Sequence, residues 1–467
     1  MIRLFNFTQF AERTALIEES GNEISYCQLQ TISDGIAKNI KPKSLVFCLC
    51  TNTIPSIAGY VAFIQNGFPV LLLDAKKNDD LLQQLLEIYT PNYIWRPTTP
   101  TLGKPLYAYK NYSLYAYSKD NVPVHPDLSL LLTTSGSTGS PKLVRLTENN
   151  ITSNAESIID YLNITAQERA VTSLPMYYSF GMSVVNSHLH CGATLLLTDK
   201  TVMQSEFWNL VKEQQATSIA GVPYTYEMLR RLRFFRMDLP HLKTMIQAGG
   251  KLNADIVKEY AENAQKVGKR FFVMYGQTEA APRISYLPYN IAEHKPSSIG
   301  IAIPGGKLSI QDPDGALISE PDMDGELVYE GSNVCMGYAE SKEDLVKGDD
   351  NHGILHTGDV ARFDRDGFFY ITGRMKRFVK IWGNRCNLDS IEQLLKPICP
   401  DCACIGDDEK IQVYITDKKL SEESVREYLS EKTHLNISAF FIYTIDKIPR
   451  SSSGKVLYYT LKHYSSL

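Results

Sequence analysis

Residues 133–142 read Thr-Thr-Ser-Gly-Ser-Thr-Gly-Ser-Pro-Lys, directly after the apolar run Leu130-Leu-Leu132 and ahead of a helix that the pattern starts near Thr147. Small hydroxyl residues and glycines at this density let backbone N–H groups close on an anion. The side-chain hydroxyls donate further hydrogen bonds, and Lys142 adds positive charge. That chemistry is phosphate binding, carried by Thr134, Ser135, Gly136, Ser137, Thr138, Gly139 and Lys142. No Gly-x-x-x-x-Gly-Lys-Ser/Thr spacing is present, so this is not a Walker A loop. The plain alternative is a Ser/Gly-rich surface loop. A second group of chemically able residues is Cys399, Cys402 and Cys404, which with Cys386 or His434 could supply part of a zinc site. They form no paired Cys-x-x-Cys arrangement, and nine cysteines without an even framework read better as reduced thiols in a cytosol.

A phosphate loop needs a strand to hold its start and a helix to follow it, and the 467 residues, 43% apolar and 21% charged, are enough for several such units. Forty-eight basic against 52 acidic residues leave a net charge of -4, with no overall field for nucleic acid or an anionic bilayer. A small anionic ligand must then be held locally. Met1 to Phe10 lacks the continuous apolar core of a signal peptide. The greasy stretch Ile57 to Leu73 is broken by Gln65-Asn66-Gly67 and Pro69, which suits helix, turn and strand. A cytoplasmic protein with no nucleic-acid partner and no stable membrane anchoring is expected.

Between Tyr26 and Asp74 helical spacing alternates with β-rich runs, a βαβ pattern: Ser44 to Cys50 as strand, Ile54 to Ile64 as helix, Phe68 to Leu73 as strand. The theme returns at Leu128 to Leu132, Thr147 to Leu162, Gly192 to Leu197, Trp208 to Gln214 and Thr244 to Gln247. Near-continuous apolar strands want both faces covered, so helix-wrapped parallel sheets are expected. After about Ile299 strands alternate with Asp-Pro-Asp-Gly (312–315) and Asp-Arg-Asp-Gly (364–367) turns, a β-rich subdomain. The remainder reads as a helix (Leu388 to Leu395), a strand (Ile411 to Ile415), a helix (Ser421 to Glu431) and a strand (Ala439 to Thr444). The expected fold is α/β: a large N-terminal domain of two helix-covered sheets plus a β-rich subdomain, and a small α+β C-terminal lid. The boundaries are 1–374, with the subdomain at about 299–374, and 375–467.

Four further motifs follow the loop in order: Tyr275-Gly-Gln-Thr-Glu279, Ile354-Leu-His-Thr-Gly-Asp359, Asp366-Gly-Phe-Phe-Tyr-Ile-Thr-Gly-Arg374 and Pro449-Arg-Ser-Ser-Ser-Gly-Lys455. Together with residues 133–142 they resemble the ordered motifs of the adenylate-forming superfamily: acyl- and aryl-CoA synthetases, adenylation domains of peptide synthetases, and luciferases. The resemblance implies activation of a carboxylic acid by ATP as an acyl-adenylate, with pyrophosphate released, then transfer to the phosphopantetheine thiol of CoA or a carrier protein. In that scheme Thr134 to Gly139 and Lys142 hold the triphosphate, Glu279 binds Mg2+, and Thr278 lies on the α-phosphate side. Tyr275, in the run Tyr275-Gly276-Gln277, offers its face to adenine opposite Ala248-Gly249-Gly250. Asp359 accepts from the ribose hydroxyls with Arg374 in support. Lys455 bridges carboxylate and α-phosphate in the adenylation transition state. Lys376 matches the hinge about which the lid rotates between half-reactions, and Gly383 leaves room for pantetheine. Outside the family context these residues read as turns and surface charge.

The chain departs from the family at Leu174-Pro-Met-Tyr-Tyr-Ser-Phe-Gly181, where Tyr178 stands in place of a frequent His. Amino-acid-activating members place an Asp at about position 181; Gly181 offers no countercharge, which favours a neutral acyl or aryl acid over an α-amino acid. Tyr177, Tyr178, Phe180, Val222 and Tyr224 are the candidate substrate-pocket residues, or else core packing. Tyr458 stands near where relatives often carry Arg. The leading expectation is an AMP-forming acid–thiol ligase, with a lean toward a stand-alone enzyme loading a carrier. An amino-acid-activating enzyme, a luciferase-like oxygenase and a non-catalytic nucleotide- or acyl-binding regulator are the alternatives.

Overall fold

A computed structural model of the chain describes residues 3–76, 79–99, 103–120, 122–133, 142–381, 384–407, 410–433, 435–450 and 456–461. The chain forms two compact units, one of residues 1–307 and 329–355, the other of residues 308–328 and 356–467.

The first unit contains two large sheets. One runs in the order Gly337–Ala339, Leu143–Thr147, Leu128–Thr133, Val70–Asp74, Val46–Cys50, Tyr93–Pro97, Tyr112–Ala116 and Tyr107–Tyr109, and its middle strands are parallel. The other runs Ile301–Ala302, Arg283–Leu287, Arg270–Gly276, Thr244–Gln247, Ser218–Gly221, Arg169–Val171, Thr194–Leu197, Thr14–Glu18 and Glu23–Ser25, with six parallel strands from Arg270–Gly276 to Thr14–Glu18. Val46–Cys50 is buried at every position, as its unbroken apolar run requires. Two helices, Ile54–Gln65 and Ser179–His190, are buried on all sides over Ile54–Ile64 and Ser179–Leu189, and their residues share one core with both sheets. A helix apolar all round is stable only inside such a core.

Asn52 adds a polar link to this shared apolar core. Its amide donates to the carbonyls of Thr172, Leu174 and Thr198 at 3.0–3.2 Å and accepts from the Met176 N–H at 3.2 Å. Four backbone groups that leave the Arg169–Val171 and Thr194–Leu197 strands are thereby satisfied by one side chain following Val46–Cys50.

The expected helix from Thr147 begins at Glu148, with Thr147 as its cap: the Thr147 hydroxyl accepts from Asn150 N–H, and the Asn150 side chain accepts from Thr147 N–H. The strand Leu143–Thr147, which was not expected, lies between the loop and this helix. Arg145 disguises it, because a charged residue sits at the centre of a fully buried run. The Arg145 guanidinium is met by the carbonyls of Tyr338, Met336 and Lys347 and by Asp350 Oδ2 at 2.6 Å.

Most of the second unit's β structure is a five-stranded sheet in the order Leu317–Ile318, Gly306–Gln311, Gly325–Gly331, Ile354–Phe363 and Phe369–Arg374. Both expected turns form as the Asp side chain dictates: Asp312 Oδ1 accepts from Asp314 and Ala316, and Asp364 Oδ1 from Asp366 and Phe368. The strands Phe378–Ile381 and Asn384–Asn387, the helices Leu388–Leu395 and Glu422–Thr433, and the sheet Cys402–Asp407, Lys410–Ile415, Phe440–Thr444 complete the α+β part. Cys399, Cys402 and Cys404 are buried in its apolar core, where burial pushes the Cys402 and Cys404 thiols up. They act there as small core side chains.

Asn52→Ala is expected to lower unfolding free energy by about 3 kcal/mol, because four buried backbone groups lose their partner at once. Urea denaturation followed by tryptophan fluorescence would measure it; a loss under about 0.5 kcal/mol would deny Asn52 this joining role.

Candidate active site

Thr134, Ser135, Gly136, Ser137, Thr138, Gly139, Gly383, His434 and Lys455 lie outside the described residues, and of Lys376 only the backbone is described, in the turn Met375–Arg377. The flanks of the loop are well placed. Thr133 and Leu143 are directly opposed on antiparallel strands, so the two ends of residues 134–142 are held one strand spacing apart.

From this flank a chain of contacts runs to the second motif. The Lys142 ammonium lies 3.6 Å from the centroid of the Tyr338 ring and 3.6 Å from Glu340 Oε1. The Tyr338 hydroxyl donates to Glu279 Oε1 at 2.9 Å. Burial, and then the Glu279 charge, push the Tyr338 phenol far above its ordinary range, so it stays a protonated donor. Strand pairing produces the contact: Gly337–Ala339 lies antiparallel to Leu143–Thr147, with Tyr338 opposite Val144. Tyr338 belongs to none of the motifs, and nothing in its spacing marks it.

Glu279 is in the short turn Thr278–Ala280, which follows the Arg270–Gly276 strand. That strand runs parallel to Thr244–Gln247 with Val273 opposite Gln247, so Tyr275-Gly276-Gln277 and Ala248-Gly249-Gly250 both lie beyond the carboxyl end of this pairing. Ligands of open α/β sheets bind at such carboxyl ends. Gln277 Nε2 donates to the Tyr275 hydroxyl at 3.1 Å, and the Thr278 and Ser179 hydroxyls are 3.2 Å apart. Gly249 has φ +83°, and a Cβ there would stand 2.6 Å from the Tyr178 hydroxyl and 3.2 Å from Val222 Cγ1. The structure therefore brings Gly249, Tyr178 and Val222 together.

Tyr177 donates to Asp74 Oδ2 at 2.9 Å. Phe180 is buried, with the Arg283 guanidinium 4.1 Å above its ring. Tyr224 keeps 49% of its surface exposed and falls in the first turn of the helix Pro223–Arg231. Arg283, which lies outside the second motif, and Ser179, within the Leu174–Gly181 stretch, were not singled out in the sequence.

In the second unit Asp359 and Arg374 are directly opposed on adjacent antiparallel strands, with Arg374 Nε 2.9 Å from Asp359 Oδ1. Two motifs on consecutive strands thus form one ion pair, in which the buried carboxylate is oriented by a largely exposed guanidinium. Farther on, Arg377 bonds Asp389 at 2.5 Å and Glu392 at 2.6 Å, and its guanidinium lies 3.9 Å over the Tyr458 ring. Tyr458 in turn donates to Glu392 Oε2 at 3.2 Å. The position that departs from relatives thereby ties the last described helix to the turn after Arg374.

Gly249→Ala is expected to cost about 2 kcal/mol of stability, part from a side chain at positive φ and part from the Tyr178 hydroxyl. Adding Tyr178→Phe should restore only the second part. Equal stability of wild type and Gly249→Ala in chemical denaturation would contradict the packing described.

The family described as AMP-binding enzyme matches residues 6–339. Feruloyl-CoA synthase of Amycolatopsis sp is 30% identical over 291 residues, 60% of this chain and 56% of that protein. Medium-chain fatty-acid–CoA ligase of Escherichia coli (strain K12) is 28% identical over 364 residues, 73% of this chain and 62% of that protein. These matches thus span about three fifths of the relatives' length. Among solved structures, O-succinylbenzoate coenzyme A synthetase from Bacillus subtilis in complex with AMP has a TM-score of 0.80 at 23% identity, covering 98% of this chain and 96% of that one. The same enzyme in complex with ATP and magnesium ion has a TM-score of 0.78 at 22% identity, covering 97% of each. These two likenesses bear on the fold: helix-covered sheets followed by a smaller α+β part. With the family matched over more than half its length, the chain belongs to the AMP-binding enzyme family.

Proposed function

We propose that the chain is an AMP-forming acid–thiol ligase. It activates a carboxylic acid with ATP as an acyl-adenylate and transfers the acyl group to the phosphopantetheine thiol of CoA or a carrier protein. The observation that carries this reading is the contact series Lys142–Tyr338–Glu279, which links the end of the candidate phosphate loop to the acid of the second motif. Family membership and the names of the relatives support it; those relatives are CoA enzymes, which supports CoA as acceptor over the carrier that the sequence leaned toward. No helix among the described residues is long and apolar enough to cross a membrane, which is compatible with work in the cytoplasm on small acids.

In the first step a carboxylate oxygen attacks the α-phosphorus of ATP, the bond to the β-phosphate oxygen breaks, and pyrophosphate leaves. Two anions must be brought together, so placement and positive charge lower the barrier. Thr134 to Gly139 and Lys142 hold the phosphates. Glu279 suits Mg2+: it is an oxygen ligand, and Tyr338 occupies Oε1 while Oε2 accepts no hydrogen bond among the described residues. Bound there, the ion offsets triphosphate charge. Tyr275 and the Gly249 turn flank adenine, Asp359 accepts from the ribose hydroxyls, and Arg374 holds that carboxylate in line. Lys455 carries positive charge to the carboxylate and α-phosphate. In the second step the thiol sulfur bonds to the acyl carbon, the thiol proton is released, and the C–O bond to AMP breaks. A lid of residues 375–467, turning at Lys376 and placing Gly383 along the pantetheine path, serves both steps in succession.

The amino-acid-activating alternative loses support at Gly181. A Cβ there would stand 2.1 Å from the Pro175 carbonyl oxygen, so no side chain, acidic or otherwise, fits without moving the backbone.

The test is exchange of labelled pyrophosphate into ATP across fatty, aryl and amino acids; no exchange with any acid would refute the reading. Lys455→Ala is expected to reduce exchange by at least about 100-fold while sparing thioester formation from supplied acyl-adenylate. Equal loss of both steps would remove its assigned role. Glu279→Gln, which keeps the shape and loses the charge, is expected to raise the Mg2+ concentration needed for half-maximal exchange by roughly 10-fold or more. An unchanged magnesium dependence would move the metal elsewhere.

A further inference from the structure

Among the described residues two arginines are buried, Arg145 and Arg283, and Arg377 is largely so; Arg145 bonds Asp350, and Arg377 bonds Asp389 and Glu392. Arg283 is different. It is 3% exposed, and the described groups that act on its guanidinium are neutral: Phe180 under its face, Met274 Sδ at 3.2 Å from Nε, and the phenols of Tyr161 and Tyr178. A cation taken from water into such surroundings is costly unless an anion meets it. Burial already pulls this guanidinium below its ordinary value, and only the two phenols act against that. The Phe180 face and the Tyr161 hydroxyl recover part of the cost, but among the described residues the N–H fork has no charged acceptor.

Its position says which anion would serve. Arg283 opens the strand Arg283–Leu287, opposite Gly276 at the end of Arg270–Gly276. Its neighbour Tyr178 reaches to the Gly249 turn, which like the second motif lies beyond the carboxyl end of its strand pairing. Arg283 therefore lies one side chain away from the edge assigned above to the nucleotide, on the side lined by Tyr178 and Phe180.

We propose that Arg283 is a binding residue for a carboxylate of the acid substrate, with Tyr178 beside it. The assignment rests on the acid-activating reading and deepens it: the family's frequent His at position 178 is absent, and a permanent cation supplies recognition instead. Two carboxylates could be the one held, the reacting group itself or a second one at the far end of a dicarboxylic acid.

The experiment compares wild type, Arg283→Lys and Arg283→Met as full chains. Hexanoate, benzoate, adipate, terephthalate and adipate monoamide are titrated calorimetrically in the presence of a non-hydrolysable ATP analogue. Pyrophosphate exchange and the ligand-free melting temperature are measured alongside. Arg283→Met is expected to weaken acid binding by about 10- to 100-fold, leave the KM for ATP within about twofold, and keep or raise the ligand-free melting temperature; Arg283→Lys should fall between. Weakening for every acid assigns the reacting carboxylate. Weakening confined to the two diacids, with the monoamide unaffected, assigns the second one. Arg283-dependent binding without exchange would keep this inference and overturn the adenylation reading. Unchanged acid affinity in Arg283→Met, no binding of any probe by wild type, or a destabilised Arg283→Met with acid and ATP weakened alike would overturn the inference.

Discussion

A carboxylate in a half-buried turn needs a donor that does not itself carry a charge away, and the Tyr338 hydroxyl at 2.9 Å from Glu279 meets that need. The described contacts from Lys142 to Glu279 follow from how Tyr338 is held. Its strand is three residues long and stays in place because it pairs with Leu143–Thr147, whose Arg145 donates to the carbonyls of Met336 and Tyr338. The same ring carries the Lys142 ammonium on its face. One aromatic side chain therefore sets the spacing between a cation at the end of the loop and an anion at the end of a strand in the other sheet. Cation–π and phenol–carboxylate contacts are each worth only about 1–2 kcal/mol, but they are directional, and direction is what a phosphate site requires.

Two guanidiniums taken out of water have their donors filled: Arg145 by three carbonyls and Asp350, Arg377 by Asp389, Glu392 and the Cys404 carbonyl. Asn52 does the equivalent for neutral groups where two sheets meet. Against that background the neutral shell of Arg283 has the character of a ligand site rather than a structural joint, since stability alone favours an apolar residue of similar size there.

Much of this was legible along the chain. Val46–Cys50, Val70–Asp74 and Ile54–Gln65 came from unbroken apolar runs of the right lengths, and Asp312 and Asp364 announced their turns by residue type. Boundaries moved by a residue or two because caps such as Thr147 sit outside the helix they start. The strand Leu143–Thr147 was hidden, since burial of Arg145 depends on carbonyls about 190 residues away. Motif order marked Glu279, Asp359 and Arg374 as a set, yet the pairing of Asp359 with Arg374 is a strand register, set by the turn that joins the two strands rather than by the motifs themselves.

Local chemistry is written in neighbouring residues: glycine and hydroxyl density, apolar period, the Asx turns, and motif order sufficed for fold class and for the kind of reaction to expect. Tyr338 and Arg283 carry no such mark. Their importance comes from what lies across a sheet or a helix face from them, and burial converts an ordinary tyrosine or arginine into a positioned donor or an uncompensated charge only once the chain has closed around it.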